Sequence, residues 1–500
     1  MNKLIKNVFF GFGAQLLILA VGFVMRRVVL VAFGSEVNGI TATITQIITY
    51  ITLMEAGVGN ATRNCLHKNI ARGDRLEICT TVSATKKYFR RITPLYAVCV
   101  LLFAALFPLV METEVPARTV RLVIILQGLS FVVDFLFANS YLQLLYADGR
   151  GYIPSGLALL ERSVAAALQV LLIWMGYDIV SVQLAYFLGF AVKAIIVNIY
   201  IRRSYPWLKK DPAAAVSKLP QRGAFAVHEL TRVVFNSTDV VLVAVFCSVK
   251  EASVYSIYSM VFVALYSVFE ALFKAIEFNL GAQYHRDREA YKKMHDAYES
   301  MLLCFVFAVV AAACIVILPF VRLYTDGVTD VDYMRPALPV LFALVQVLSV
   351  GKLIPKKLVD SAGKTQATVP NTLAEAAINI VASVVFVNLF GMAGVLLGKI
   401  AALLYRTNDV VLYANRKVLK RFPWHTYKMY LMNLLLFAAV MAVSFAFPLE
   451  IGGYLQFLLY GAAALAGTMV LYFGLNCALD QGMRSVVAEL FEKFLHKTGM

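Results

Sequence analysis

The segment NVFFGFGAQLLILAVGFVMRRVVLVAF, residues 7–33, is apolar for longer than a helix needs to cross a lipid bilayer. A helix spans the ~30 Å hydrocarbon core with about 20 residues. Stretches of the same kind recur along the chain, which gives about fourteen predicted spans in all. These are 7–33, 38–61, 92–111, 119–146, 152–175, 179–201, 223–247, 254–280, 299–321, 336–355, 369–389, 392–414, 426–447 and 453–475. The sequence therefore predicts an all-α, polytopic membrane protein.

Positively charged residues collect in every second gap between the predicted spans. The cation-rich gaps are 62–91, 202–222, 281–298, 352–368 and 415–425, and the intervening gaps hold few cations. Lys and Arg in short loops are kept on the cytoplasmic side of a membrane. We therefore expect both termini to be cytoplasmic.

The composition excludes several classes of protein. Hydrophobic residues make up 60% of the chain and charged residues 15%, with a mean hydropathy of +0.74, which is outside the range of soluble domains. The net charge of +16 lies in the short gaps, so it is interpreted as a topology signal and not as a nucleic-acid-binding surface. The seven cysteines show no metal-ligand spacing, and neither a GxxxxGK[ST] nor an HExxH motif occurs. We expect no metal, no cofactor and no enzymatic activity.

The gap 202–222 is the best candidate for a linker between two halves. Residues 28–32 (VVLVA) recur as residues 240–244, near the ends of the first and seventh predicted spans, and a short turn follows each copy. This repeat indicates two six-helix lobes related by pseudo-two-fold symmetry, 1–201 and 223–414, an arrangement known in transporters. Two further helices at 426–475 and an amphipathic cytoplasmic tail at 481–500 would follow.

Polar residues at membrane depth mark candidate sites, because ionisable groups there require a partner or a water-filled cavity. His228, Arg232, Asn236 and Asp239 share one face of the seventh predicted span. This stripe is either a cavity wall or an Arg–Asp pair that only orients helices.

Two earlier spans carry weaker polar stripes. Gln15, Arg26 and Arg27 lie on or beside one face of the first span, where the arginines either snorkel outward or face a cavity. Thr45 and Thr49 belong to a hydroxyl-rich face of the second span, which suits helix packing as well as substrate contact.

Four titratable residues are candidates for energy coupling. Asp239 and Asp134 lie within predicted spans, and Glu270 and Lys274 lie near the cytoplasmic end of the eighth span. Glu270 and Lys274 could equally form a salt-linked gate, and each carboxylate could equally be a salt-bridge partner.

Several motifs resemble one family of transporters. They are FGSEVNGITATITQIITYITLMEAGVGNATRNCLHKNIARGD (33–74), LYADGRGYI (145–153), NSTDVVLV (236–243) and VYSIYS (254–259). These segments resemble the bacterial polysaccharide transporters, the oligosaccharide-lipid flippase branch of the multidrug/oligosaccharidyl-lipid/polysaccharide exporter superfamily. Val37 and Asn38 depart from that family's pattern, which leaves the identity of the sugar open.

The resemblance implies a flippase in a bacterial inner membrane that moves undecaprenyl-diphosphate-linked oligosaccharide to the outer leaflet for polysaccharide biosynthesis. Alternating access around a cationic central cavity would carry the substrate. Arg26, Arg27 and Arg232 suit a diphosphate, because guanidinium groups bind phosphate oxygens bidentately. Gln15, Asn236, His228 and the threonines would contact sugar. Membrane lipids, a glycan polymerase and other assembly proteins are the implied partners.

Three alternatives remain open. The first is a multidrug exporter of the same fold, for which an acidic cavity would be expected. The second is a membrane scaffold without transport, in which the polar stripes only pack helices. The third is a glycan polymerase, for which only Asp326, Asp330 and Asp332 offer carboxylates in an outer gap.

Overall fold

The computed structural model describes residues 3–55, 57–211, 233, 235, 237–480 and 482–484. Within these ranges all regular elements are helical, which confirms the predicted all-α class. The helices are α1 (Lys3–Ile51), α2 (Val58–Ala71), α3 (Arg75–Val110), α4 (Ala117–Val133), α5 (Asn139–Ala147), α6 (Tyr152–Trp174), α7 (Ile179–Ser204), α8 (Ser237–Phe246), α9 (Val249–Arg286), α10 (Arg288–Tyr324), α11 (Ala337–Gly351), α12 (Leu353–Ser361), α13 (Val369–Phe390), α14 (Met392–Leu412), α15 (Trp424–Ala446) and α16 (Tyr454–Leu479).

Four shorter helical segments join these elements. Two are 3₁₀ turns, Thr52–Glu55 and Thr365–Thr368, and two are π-helical turns, Asp134–Ala138 and Tyr413–Leu419. A π-turn inside a longer helix often marks a functional position. The π-turn at Asp134–Ala138 lies in the wall of the cavity described below.

Eleven helices of the described ranges are long and apolar enough to cross a membrane, so the chain is a multi-pass membrane protein. The first of them, Phe10–Ile51, covers most of the first predicted span, 7–33, and the first part of the second, 38–61. The predicted count of about fourteen stays a prediction, because 212–232 lie outside the described residues. Trp174 and Trp424 are exposed at helix ends, where membrane proteins place interfacial aromatic residues.

Gly34 separates the two predicted spans within α1. Its φ of 81° is not helical and favours glycine, which has no Cβ to clash with the backbone. Directly after it, the backbone N–H of Ser35 donates to Asp330 at 2.9 Å. Asp330, a candidate carboxylate of the polymerase alternative, is thus a hydrogen-bond partner of this turn.

Helices α3 and α10 begin well before the apolar stretches that predicted them. Asp74 accepts a hydrogen bond from the backbone N–H of Glu77 at 3.0 Å, which caps α3. Asp287 caps α10 by accepting from the N–H groups of Glu289 and Ala290. A capping carboxylate starts a helix in polar sequence, so these helices extend beyond their membrane-spanning segments.

The chain forms two compact units. Unit 1 comprises 1–253 with 328–331, and unit 2 comprises 254–327 with 332–500. The boundary falls after Ser253, later than the linker expected at 202–222, so the described part of the seventh predicted span belongs to unit 1. The six-plus-six lobes stay a prediction, as does the amphipathic tail at 481–500, which lies outside the described residues except for 482–484.

Candidate functional site

The wall of a cavity in unit 1 begins where the second predicted span stops being α-helical. After Ile51 the chain makes the 3₁₀ turn Thr52–Glu55, and α2 starts at Val58. Gly57 stands between these elements with a φ of 84°. A left-handed conformation costs other residues about 1–2 kcal/mol, so glycine makes this break at low cost, and Glu55, Asn60 and Arg63 on either side of it reach the same cavity.

A second part of the lining comes from the segment that joins α4 to α5. The π-turn at Asp134–Ala138 inserts an extra residue into this helical run. The insertion changes the face that the following residues present, so Asp134, Asn139 and Gln143 all reach the same cavity. Asn139 and Gln143 are nearly fully buried.

The cavity has a volume of about 460 Å³ and lies within unit 1. Its lining combines hydroxyl, amide, carboxylate and guanidinium groups with a few apolar side chains. The lining residues are Thr49, Thr52, Leu53, Glu55, Gly57, Gly59, Asn60, Arg63, Phe131, Asp134, Phe135, Asn139, Gln143 and Val233. A polar cavity of this size inside a membrane-spanning unit suits a polar ligand.

A chain of hydrogen bonds runs along this lining from a cation to an anion. Arg63 donates to Gln143 Oε1 from Nε at 3.2 Å and from Nη2 at 2.9 Å. Gln143 donates to Asn139 Oδ1 at 3.1 Å, and Asn139 donates to Glu55 Oε2 at 2.7 Å. Because each amide uses both its donor and its acceptor, Arg63 and Glu55 are held at fixed positions.

The guanidinium of Arg63 is also oriented by an aromatic ring. Its Cζ lies 4.7 Å from the centroid of the Tyr146 ring. A cation above an aromatic face at this distance gains electrostatic stabilisation. The bonds to Gln143 do not use the Nη1 amino group, so a guanidinium edge remains outside that pair of bonds.

Asp134 joins the cavity to a buried group of charges. Lys193 Nζ lies 2.7 Å from Asp134 Oδ1 and 2.6 Å from Glu161 Oε2. The side chains of Lys193 and Glu161 are 9% and 6% exposed. Two carboxylates therefore share one ammonium group beside the cavity.

A second buried charge network lies in unit 2. Glu375 accepts from Lys352 Nζ at 2.5 Å, and Arg406 Nε lies 3.5 Å from its other oxygen. Arg406 also pairs with Asp409 at 2.5 Å, and Asn371 donates to Asp409 at 2.6 Å. These groups compensate one another, as buried charges must.

The structure places some of the predicted site residues at the unit 1 cavity. Thr49 and Asp134 line it. Thr45 lies one turn away on α1 and accepts from Gln127 Nε2 at 2.9 Å. Both threonine hydroxyls also donate to backbone carbonyls of the preceding turn, at 2.7 Å for Thr45 and 2.8 Å for Thr49.

Other predicted residues lie elsewhere. Gln15 is exposed, and Arg26 and Arg27 are half-buried on α1. Neither arginine is among the residues that line the cavity. Asp239 is buried in α8 beside Thr238, which contacts the hydroxyl of Tyr50.

Three predicted contacts, His228, Arg232 and Asn236, lie outside the described residues. The expected cationic cavity therefore stays a prediction. The unit 1 cavity differs from that expectation, because two carboxylates and one guanidinium line it.

In unit 2, Glu270 and Lys274 form the expected pair on α9. Lys274 Nζ lies 3.1 Å from Glu270 Oε1, and the two side chains are 64% and 44% exposed. An exposed pair at this spacing stabilises a helix only slightly.

Sequence reasoning missed Arg63, Asn139 and Gln143. Arg63 was counted with the cations of the gap 62–91, and the two amides sit in an apolar stretch without helical periodicity. Gln127, Ser130 and Asp134 lie at helical spacing in the sequence, but this pattern does not extend to Asn139, because the π-turn shifts the face. A regular 3.6-residue pattern cannot reveal residues that a π-turn brings together.

No protein-family model and no curated protein matches this sequence. Solved structures do resemble it. An inward-facing multidrug resistance MATE family transporter of the MOP superfamily gives a TM-score of 0.65 at 12% identity, covering 80% of this chain and 94% of that one. The lipid II flippase MurJ in an inward closed conformation gives 0.65 at 13% identity, covering 93% and 99%. The chain has the fold of these transporters.

A third structure shows that this fold accepts different pockets. It is a MOP superfamily transporter from Pyrococcus furiosus described as having a binding pocket of reversed polarity, with a TM-score of 0.56 at 13% identity, covering 83% of this chain and 95% of that one. Since a shared fold does not define a substrate, the ligand must be argued from the cavity itself. Its guanidinium can bind an anionic oxygen, its amides and hydroxyls can bind sugar hydroxyls, and its carboxylates can bind a cation or a proton.

Proposed function

We propose that this protein is a transporter that flips a polyisoprenyl-diphosphate-linked oligosaccharide, of the undecaprenyl type, from the cytoplasmic to the outer leaflet of a bacterial inner membrane. The observation that carries the proposal is Arg63, a guanidinium held in the cavity wall by Gln143 and Tyr146. The lipid II flippase MurJ shares this fold, so the fold is compatible with a lipid-linked substrate.

The diphosphate would bind at Arg63. Guanidinium groups bind phosphate oxygens through paired N–H donors, and the Nη1 edge lies outside the bonds to Gln143. Residue 63 also begins the cation-rich gap 62–91, which the charge alternation assigns to the cytoplasm. Loading from the cytoplasmic leaflet would bring the diphosphate to this end of the cavity.

The sugar would contact the neutral polar groups of the cavity lining. Thr49, Asn60 and Asn139 offer hydroxyl and amide groups of the kind that bind saccharides. Arg26, Arg27 and Arg232 remain proposed phosphate contacts, and Gln15, His228, Asn236 and Thr45 remain proposed sugar contacts. Polysaccharide-assembly proteins such as a glycan polymerase would receive the flipped lipid.

Energy coupling would use Asp134 among the four titratable candidates. Asp134 lines the cavity and shares Lys193 with Glu161. Substrate and a coupling ion could therefore compete for the same buried group of charges, Asp134, Glu161 and Lys193. Asp239 is a second proposal because it is buried in α8. Glu270 and Lys274 suit coupling less, since Lys274 is exposed and Glu270 only half-buried.

A transport assay in liposomes tests the proposal. The purified chain would be reconstituted with a fluorescent undecaprenyl-diphosphate oligosaccharide, and label reaching the opposite leaflet would be quenched over time. We expect wild-type protein to move the label and Arg63→Ala to slow it at least ~10-fold, as loss of a charged hydrogen bond predicts. Arg72→Ala is the matched control, because Arg72 is an exposed cation at the end of the same helix.

A second function has its own supporting observation. Glu55 and Asp134 both line the cavity, and an acidic pocket would suit an exporter of cationic compounds. The same vesicles would therefore be tested for uptake of a cationic dye. Dye transport by wild type without movement of the lipid-linked sugar would replace the flippase proposal with this one.

A further inference from the structure

A buried group of metal-ligating side chains lies in unit 2, far along the chain from the cavity residues. His295, Asp296 and Glu299 are in the first turns of α10, and one candidate ligand atom of each lies within 4.8 Å of the others. His295 and Glu299 are four residues apart, which puts them on one face of the helix. Imidazole and carboxylate together are typical ligands of divalent transition metals.

Two atoms of this group have no hydrogen-bond partner among the described residues. They are Nε2 of His295 and Oε1 of Glu299. The residues are 0% and 1% exposed, so water does not reach them freely from the surface. An unpaired buried polar atom costs about 1–3 kcal/mol, so each of these two atoms favours a further partner.

The remaining atoms of the group are already held in place by neighbouring residues. Arg421 binds both carboxylate oxygens of Asp296, with Nη1 at 2.7 Å from Oδ2. Thr426 donates to Glu299 Oε2 at 2.7 Å. Nδ1 of His295 lies 3.4 Å from Asp296 Oδ1. Hydrogen bonds of this kind orient metal ligands in proteins.

The charges also favour a cation. Arg421 compensates Asp296, whereas Glu299 receives only a neutral hydrogen bond from Thr426. Asp480 lies close by, since Ser300 on α10 donates to it at 2.7 Å and also contacts His425 at 2.9 Å. Buried carboxylates without a cation are costly.

We propose that His295, Asp296 and Glu299 of α10 bind one divalent transition-metal ion, such as Zn²⁺ or Mn²⁺, and that Arg421 and Thr426 hold two of these ligands in position. The site is separate from the transport cavity of unit 1 and does not depend on the proposed substrate. Its role is structural, because a bound ion stabilises the folded state over the unfolded one.

Metal binding to the full-length protein tests this site directly. The chain would be purified in detergent, stripped with a chelator and dialysed against Zn²⁺, Mn²⁺ or Mg²⁺, with bound metal measured by mass spectrometry. We expect one equivalent of Zn²⁺ or Mn²⁺ and little Mg²⁺, since imidazole ligands disfavour Mg²⁺. Binding should also raise the thermal unfolding temperature.

Variants identify the ligands. His295→Ala and Glu299→Gln should each weaken Zn²⁺ affinity by at least ~10-fold, the loss seen when even an orienting residue is removed. Glu289→Gln, at an exposed position of the same helix, and His67→Ala, an exposed histidine of unit 1, should bind as wild type does.

A spectroscopic readout on wild-type protein covers the case in which a variant fails to fold. Co²⁺ added to the stripped protein should give visible d–d absorption of a nitrogen- and oxygen-ligated ion, and Zn²⁺ should remove it. Wild-type protein that binds no ion would overturn the proposal, and so would Zn²⁺ that both ligand variants retain. Neither result bears on lipid transport, so the two proposals fail separately.

Discussion

In unit 1 the ammonium nitrogen of Lys193 lies 2.7 Å from Oδ1 of Asp134. The same nitrogen is 2.6 Å from Oε2 of Glu161, which gives one buried cation two carboxylate partners. Asp134 also lines the cavity, so the charge state of this trio bears on what the cavity can bind. The trio joins α7 to α6 and to the π-turn, and it therefore supports both the fold and the site.

Replacing Lys193 with methionine should destabilise the protein strongly. The change keeps the length of the side chain but leaves Asp134 and Glu161 buried without a cation, which costs about 3–5 kcal/mol when one partner of a buried pair is removed. Thermal unfolding in detergent would show a large drop in melting temperature. Lys274→Met is the matched control, because its exposed pair with Glu270 is worth about 0–1 kcal/mol. Equal melting temperatures for the two variants would contradict the interpretation.

The phenol of Tyr205 predicts an alkaline pH dependence. Its hydroxyl donates to Asp148 Oδ2 at 2.7 Å, directly after α7. Burial, followed by the bond to Asp148, raises the pKa of Tyr205 above its usual value of about 10. A raised folded-state pKa leaves stability unchanged below about pH 10 and lowers it as the pH rises further.

Tyr205→Phe should therefore lose about 1.5–3 kcal/mol at neutral pH, the net worth of one hydrogen bond to a charged group. It should also decline less steeply than wild type above about pH 10. Melting temperatures measured from neutral to strongly alkaline pH test both statements. Tyr177→Phe, at a half-exposed loop position, is the control and should follow wild type throughout.

Close packing of α13 on α14 depends on glycine. A Cβ at Gly398 would lie 2.3 Å from the backbone nitrogen of Ser383, and one at Gly394 would lie 2.0 Å from the carbonyl oxygen of Phe386. The GVLLG spacing is the small-residue pattern that lets membrane helices approach closely. Gly398→Ala should cost about 1–3 kcal/mol by overpacking.

The same substitution at Gly467 provides the control for this packing effect. No described atom lies within 4 Å of a Cβ at that position of α16. Alanine favours a helix over glycine by about 1 kcal/mol, so Gly467→Ala should not lower the melting temperature. A loss of stability at Gly467 as large as that at Gly398 would show that helix contact is not the cause.

The sequence predicted the helical class well and the helix ends poorly, for a physical reason. Hydropathy reports the stretch that lies in lipid, and it identified the eleven spanning helices of the described ranges. It does not report Asp74 and Asp287, whose side chains cap α3 and α10 in polar sequence. A helix that extends out of the membrane starts at its cap, so its boundary is set by hydrogen bonding and not by apolarity.

The candidate site was predicted only in part. Thr49 was found as part of a hydroxyl-rich helical face and Asp134 as a carboxylate within a predicted span, and both line the cavity. Gln143 could not be found that way, because the π-turn before it changes the helical face. Arg63 is one of many cations in its gap, and only its bonds to Gln143 distinguish it. Residues that an irregular turn brings together show no helical periodicity in the sequence.

Glu55 distinguishes the two candidate functions. Its Oε2 accepts from Asn139 at 2.7 Å, and its carboxylate faces the cavity that also holds Arg63. Glu55→Gln retains an oxygen acceptor for Asn139 but removes the negative charge. An exporter of cationic compounds would lose its attraction for substrate, whereas a flippase that binds a diphosphate at Arg63 would keep or gain affinity.

The two transport assays should therefore respond differently to this one change. If the protein is a flippase, Glu55→Gln moves the fluorescent lipid-linked oligosaccharide at least as fast as wild type, because a nearby negative charge no longer opposes the diphosphate. Glu112→Gln, an exposed position between α3 and α4, is the control and should leave both assays unchanged. A Glu55→Gln variant that folds, stops moving the lipid and still transports a cationic dye would contradict the role assigned to Arg63, because loss of an anion would then have weakened binding of an anion.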